Sequence, residues 1–262
     1  MKLPIYQVDA FASSLFRGNP AAICPLESWI EDATMQAIAA ENNVAETAFY
    51  VPLERGRYGL RWFTPEVEVA LCGHATIATA AVILHQRKET SLSKLYFDTK
   101  SGEVTTEFDG DLYHLDFPSR PPLAVTVPAD LTQAMGVAPT EVLAARDGFC
   151  VFETAEQVRA LKPDMAILGK LPWFAVIATA PGEDCDFVSR FFAPAQGLPE
   201  DPVTGSAHCT LIPYWASRLG KEHMFARQIS ARGGEIWCHD RGARVGIAGR
   251  AVPYLEGTIT LP

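Results

Sequence analysis

A chain of 262 residues carrying a net charge of −9 shows no basic face for phosphate contacts, which argues against a nucleic-acid binder. Its longest apolar stretch, residues 75–84, is too short for a bilayer span of about 20 residues, and no Lys/Arg run exists to dock on an anionic membrane. The N-terminal residues 1–8 alternate like a strand and lack a signal peptide's apolar centre, and the six cysteines (24, 72, 150, 185, 209, 238) read as reduced thiols, so the expectation is a soluble, acidic, cytoplasmic protein.

Residues 3–12 predict a first strand, and Arg17-Gly18-Asn19-Pro20 a turn before the apolar run 21–24. Ser28 predicts the N-cap of a helix from Trp29 to Glu41, with Asn42-Asn43 as its stop. Strands follow at 44–51 and 58–63. Residues 75–86 predict a helix almost without polar side chains, which is the pattern of a helix buried on all sides. Further strands are expected at 94–99, 103–108 and 112–117. In the second half, short helices around 129–136 and 153–161 precede strands at 173–179 and 187–192. A second apolar helix covers 206–219 and stops at Gly220, and residues 228–261 read as three strands.

One pattern occurs twice. Arg61-Trp62-Phe63-Thr64-Pro65 leads through an acidic loop to Cys72-Gly73-His74-Ala75-Thr76, and Arg190-Phe191-Phe192-Ala193-Pro194 leads to Asp201-Pro202-Val203-Thr204-Gly205-Ser206-Ala207. The prolines lie 129 positions apart and the glycines 132, each close to half the chain. Strands outnumber helices and βαβ alternation is poor. The prediction is α+β: two similar domains, 1–115 and 116–262, each a curved, mostly antiparallel sheet wrapped around a central apolar helix.

Each repeat ends at a helix N-terminus, whose unpaired N–H groups carry partial positive charge. Two such ends, at Gly73 and Gly205, facing one another across a cleft would hold a carboxylate; alternatively, each glycine only makes a tight turn. Glu46 sits among apolar and small neighbours, where desolvation raises a carboxyl pKa toward proton exchange at neutral pH; the other reading is a solvent-facing edge residue. Asp201 is a candidate acid or a dipole-compensating cap. His74, at the positive end of its helix, is expected to be neutral and is either a relay or structural. Cys72 is placed where a helix end lowers a thiol pKa. No metal or dinucleotide motif is present.

Four motifs together resemble the phenazine-biosynthesis isomerase (PhzF-like) family: residues 16–22, residues 42–49, Trp62-Phe63-Thr64-Pro65 with Cys72-Gly73-His74-Ala75-Thr76, and residues 200–207. They occur in the family's order and extend over essentially the whole chain. The resemblance implies the diaminopimelate epimerase fold, a site in the interdomain cleft, commonly a homodimer, and a last strand near 252–262 that returns to the first domain. It implies cofactor-independent proton transfer, with Glu46 as the shuttle and His74 and Asp201 as further catalytic residues. Asn19, Gly73, Thr204, Gly205 and Ser206 are the implied substrate-binding residues. The chain departs from the family in two places: Ala45 stands where Ser commonly precedes the glutamate, and Ala70 where Asp is frequent. The epimerases' second cysteine is replaced by Asp201-Pro202.

The leading expectation is therefore an isomerase moving a proton between carbons of a small carboxylic acid. A one-thiol racemase or epimerase using Cys72 is the second reading, and a non-catalytic protein binding a small acid or a protein partner is the third.

Overall fold

A computed structural model describes residues 1–87 and 91–261. The chain falls into two compact units, Met1–Asp116 with Ala248–Pro262, and Phe117–Ile247. In the first unit, the strand Lys2–Ala10 pairs antiparallel with Ala251–Thr260 on one side and with Asn19–Pro25 on the other. Asn19–Pro25 runs parallel to Glu46–Glu54, which is antiparallel to Arg57–Phe63. Arg57–Phe63 is parallel to Lys94–Thr99, and that strand is antiparallel to Gly102–Phe108. A two-residue strand, Glu68–Val69, also lies on Arg57–Phe63. The turn into Asn19–Pro25 requires glycine: Gly18 has φ +67°, and a Cβ there would sit 2.1 Å from the carbonyl oxygen of Ala10.

The first helix corrects the expected start. It spans Asp32–Asn42, and Glu31 stands at its N-cap without a side-chain capping bond, so Ser28 has no capping role. Trp29 is taken up by the sheet instead. Its ring lies so close over Gly59 that a Cβ there would be 2.9 Å from it, and the Arg61 guanidinium sits 5.5 Å from its centroid. The stop is as expected: Asn43 is left-handed (φ 49°, ψ 36°) and its N–H closes on Ala39 O. The following strand opens at Glu46, two residues later than predicted.

The central helix, Gly73–Ala81, is buried from His74 to Ala81 and packs against five strands: Lys2–Ala10, Asn19–Pro25, Glu46–Glu54, Gly102–Phe108 and Ala251–Thr260. Its two threonines satisfy themselves. Thr76 Oγ1 donates to Cys72 O and Thr79 Oγ1 to Ala75 O, so neither needs a partner outside the helix. Beyond Ala81 the predicted α-helix widens into a π-helical turn, Val82–Gln86.

The second unit repeats the pairing scheme. Glu141–Ala144 is antiparallel to Gly148–Val151, which is parallel to Val176–Pro181. That strand is antiparallel to Phe187–Ala193, which is parallel to His223–Gln228, and the last is antiparallel to Gly234–Asp240. Leu198–Asp201 lies on Phe187–Ala193 as Glu68–Val69 lies on its own strand. The strand predicted from Trp173 begins at Val176 because Trp173 covers Gly148, where a Cβ would fall 2.2 Å from the ring.

The second central helix, Gly205–Leu219, ends at left-handed Gly220. Trp215 stacks on Phe187 (5.7 Å, 5°) and its Nε1 donates to Thr179 Oγ1. Pro213 lies inside this helix and lacks the N–H that Cys209 O would accept; the backbone N–H of Arg120 takes that place at 2.8 Å. Residues 228–261 contain the expected three strands, Gly234–Asp240, Arg244–Gly249 and Ala251–Thr260; the strand before them, His223–Gln228, was not expected, and Ala251–Thr260 belongs to the first unit.

Candidate active site

In the first unit, parallel pairing of Ala21 with Glu46 sets Asn19 and Glu46 at the entry of neighbouring strands. Asn42 Nδ2 donates to Thr47 Oγ1 and steadies the turn that delivers Glu46. Its side chain is 19% exposed, and Oε2 lies 3.1 Å from His74 Nε2. Both atoms are buried and, apart from this ion pair, neither has a hydrogen-bond partner in the protein. Across the ring, His74 Nδ1 lies 3.3 Å from Asn19 Nδ2 and 3.5 Å from Cys72 Sγ.

The electrostatics of this cluster correct one expectation. Burial disfavours the His74 imidazolium, and the Glu46 carboxylate 3.1 Å from Nε2 opposes it and raises the pKa above the ordinary histidine value. The helix end therefore does not hold His74 neutral. Cys72 moves opposite to the sequence expectation as well: burial, reinforced by the Glu46 charge, pushes its thiol up to about 11. Cys72 is the N-cap residue of Gly73–Ala81 and makes no side-chain capping bond. The first-turn N–H groups thus lack the usual side-chain acceptor.

The second unit brings Asp201, Thr204, Gly205 and Ser206 together at the other helix end. Thr204 Oγ1 donates to Asp201 Oδ2 at 2.5 Å. Thr204 is the N-cap of its helix, again without a side-chain capping bond. Gln228, fully buried on the neighbouring strand, brackets this corner: it accepts from Thr204 N–H and donates to Asp201 O. Arg146 Nη2 reaches Ser206 Oγ at 3.4 Å. That guanidinium is held by a forked pair to Asp147 (3.0 and 3.0 Å) and lies over Phe174 at 4.4 Å. Asp147 is itself 2% exposed, and burial raises its pKa against the pull of Arg146.

One turn into this helix, His208 is the neutral histidine. Its Nδ1 donates to Thr204 O, and burial lowers its pKa to about 4. Gln228, Arg146 and His208 were not singled out from the sequence. Gln228 is 24 residues past Thr204 and Arg146 is 60 before Ser206, so no local spacing marks them.

The duplicated motif has a duplicated side-chain arrangement. Arg61 forks onto Glu68 through Nε and Nη2, both at 2.8 Å, and lies 5.2 Å from the ring of Phe63. Arg190 forks onto Glu200 through the same atoms at 2.7 and 2.8 Å, and lies 4.8 Å from Phe192. Each glutamate stands five residues before its junction glycine.

The sequence profile described as Phenazine biosynthesis-like protein (PhzC-PhzF) matches residues 8–257. The chain belongs to this family of isomerases. An uncharacterized isomerase of Pseudomonas aeruginosa is 51% identical over 261 residues, with all of both chains covered. A crystal structure of a PhzF-family phenazine biosynthesis protein from Enterococcus faecalis superposes with a TM-score of 0.96 at 44% identity, again over all of both chains. The fold extends further. A hydroxyproline epimerase from Agrobacterium vitis with bound trans-4-OH-L-proline has a TM-score of 0.65 at 11% identity, covering 98% of this chain and 92% of its own. No described helix is long and apolar enough to cross a membrane.

Proposed function

We propose that this family member moves a proton between carbons of a small carboxylic acid without a cofactor, with Glu46 as the shuttle. The observation that carries the reading is the buried Glu46–His74 ion pair, 3.1 Å between two atoms with no other protein hydrogen-bond partner. Glu46 takes a proton from a C–H bond made acidic by its neighbours, and the electron pair delocalises over the substrate. The adjacent imidazolium of His74 and the uncapped amides at Gly73 stabilise that charge. Glu46 then returns the proton at another carbon, so reactant and product are isomers.

Thr204, Gly205 and Ser206 contribute to substrate binding in this reading, Asp201 acts with them as a proton-handling acid, and the Arg146 guanidinium beside Ser206 suits a carboxylate. The hydroxyproline epimerase's ligand, a small cyclic amino acid, guides the choice of substrates to try. A one-thiol racemase is disfavoured, because burial keeps the Cys72 thiol protonated at neutral pH.

The test is incubation with cyclic and α-amino acids in deuterated water, reading label uptake by mass. Glu46→Gln is expected to lower exchange by roughly 10²–10⁴-fold while leaving ligand binding intact. Exchange persisting at the wild-type rate removes Glu46 from the mechanism, and binding without exchange by the wild type favours a non-catalytic role.

A further inference from the structure

We propose that Glu46, Cys72 and His74 form an inhibitory binding site for a thiophilic divalent cation, Zn²⁺ in particular. Their donor atoms all lie within 4.8 Å of one another, and they are the carboxylate, thiolate and imidazole set that Zn²⁺ takes. Two donors about 2.0–2.2 Å from one ion at a tetrahedral angle stand roughly 3.3–3.6 Å apart, so the 3.1 Å between Glu46 Oε2 and His74 Nε2 has to open by a few tenths of an ångström. His74 is 5% exposed and both donor atoms are buried with no hydrogen-bond partner beyond their own ion pair, so the ion takes the place of the proton between them. The sequence spacing hides this site, because Cys72 and His74 lie 26 and 28 residues past Glu46 and meet it where the helix Gly73–Ala81 packs on the strand Glu46–Glu54.

Cys72 Sγ approaches the ring from the Nδ1 side at 3.5 Å, so seating it as the third donor takes a turn of the imidazole about Cβ–Cγ. With Nε2 on the ion, Nδ1 carries the remaining ring proton. Binding releases the Cys72 thiol proton and one imidazolium proton to solvent, and water completes the fourth position. A Glu46 that ligates the ion no longer accepts a proton from carbon. The inhibition thus rests on the proposed function, whereas the binding does not.

The experiment uses the full chain and Co²⁺ as a coloured stand-in for Zn²⁺. One equivalent of Co²⁺ is expected to produce a thiolate-to-cobalt charge-transfer band that Zn²⁺ bleaches and Cys72→Ser abolishes. His74→Gln and Glu46→Gln are each expected to weaken binding by more than the roughly 10–100-fold that loss of an outer-shell partner costs. Absence of the band, its survival in Cys72→Ser, or unchanged affinity in Glu46→Gln overturns the site. The second arm is exchange in deuterated water, which one equivalent of Zn²⁺ is expected to stop. Exchange that continues with the ion bound overturns Glu46 as the shuttle and leaves the metal site standing. Exchange that needs Glu46 in a protein that binds no metal overturns the metal site alone.

Discussion

Glu68 receives both forks of Arg61, and the same guanidinium reaches Asp32 at the start of the helix that leads toward Glu46. One side chain therefore ties the approach to Glu46 to the loop that delivers Cys72 and His74. Arg190 does the same work in its own unit, joining Glu200 to the carbonyls of Val158, Arg159 and Leu161.

Lysine cannot reproduce a fork that also lies over Phe63, so Arg61→Lys is expected to lower both stability and turnover. A double-mutant cycle of Arg61→Lys with Glu68→Gln is expected to return a coupling of about 1–2 kcal/mol by urea denaturation. Additive single mutants would remove the clamp.

Gln228→Leu keeps the volume but strands Thr204 N–H and Asp201 O in a buried corner, an expected cost of about 2–4 kcal/mol. Gln228→Glu keeps the acceptor for Thr204 and loses the donor to Asp201 O. Its urea midpoint is therefore expected to recover, relative to wild type, as the pH is lowered and the new carboxyl protonates.

His208 sets part of the acid limit of stability. Its folded pKa of about 4 lies below the ordinary 6.5, so the unfolded chain binds the proton first as the pH falls. Its stabilising contribution is complete above pH 6.5 and is lost progressively down to pH 4, about 3 kcal/mol in all. The raised pKa of His74 has the opposite sign: its contribution is complete below pH 6.5 and is lost as the pH rises from there through the folded value. Unfolding free energies at pH 5 and 7 check this. His208→Gln is expected to flatten the difference, and an unchanged slope would exclude a neutral buried His208.

Local sequence carried the first central helix because a helix almost without polar residues has only one place to go, and its Thr76 and Thr79 proved to be self-satisfied. It carried the Asn43 stop for the same local reason. It misplaced the start of the first helix because Trp29 fits helical spacing, while the sheet offers it a larger contact at Gly59 and Arg61. Glu46 and His74 were each legible as single candidates. Their 3.1 Å meeting, and the direction in which His74 titrates, came from the packing of the helix Gly73–Ala81 on the strand Glu46–Glu54, elements far apart in sequence. Gln228 and Arg146 act on residues far along the chain and leave no periodic trace.

The recurrence of one strand-pairing diagram in both units has an evolutionary corollary. Backbone architecture occurs twice, whereas in the proposed mechanism the reactive groups are partitioned: Glu46, His74 and Cys72 occur in one copy, and Asp201, Gln228 and Arg146 in the other. Divergence of this kind abolishes redundancy, so neither copy retains a spare for what the other has lost.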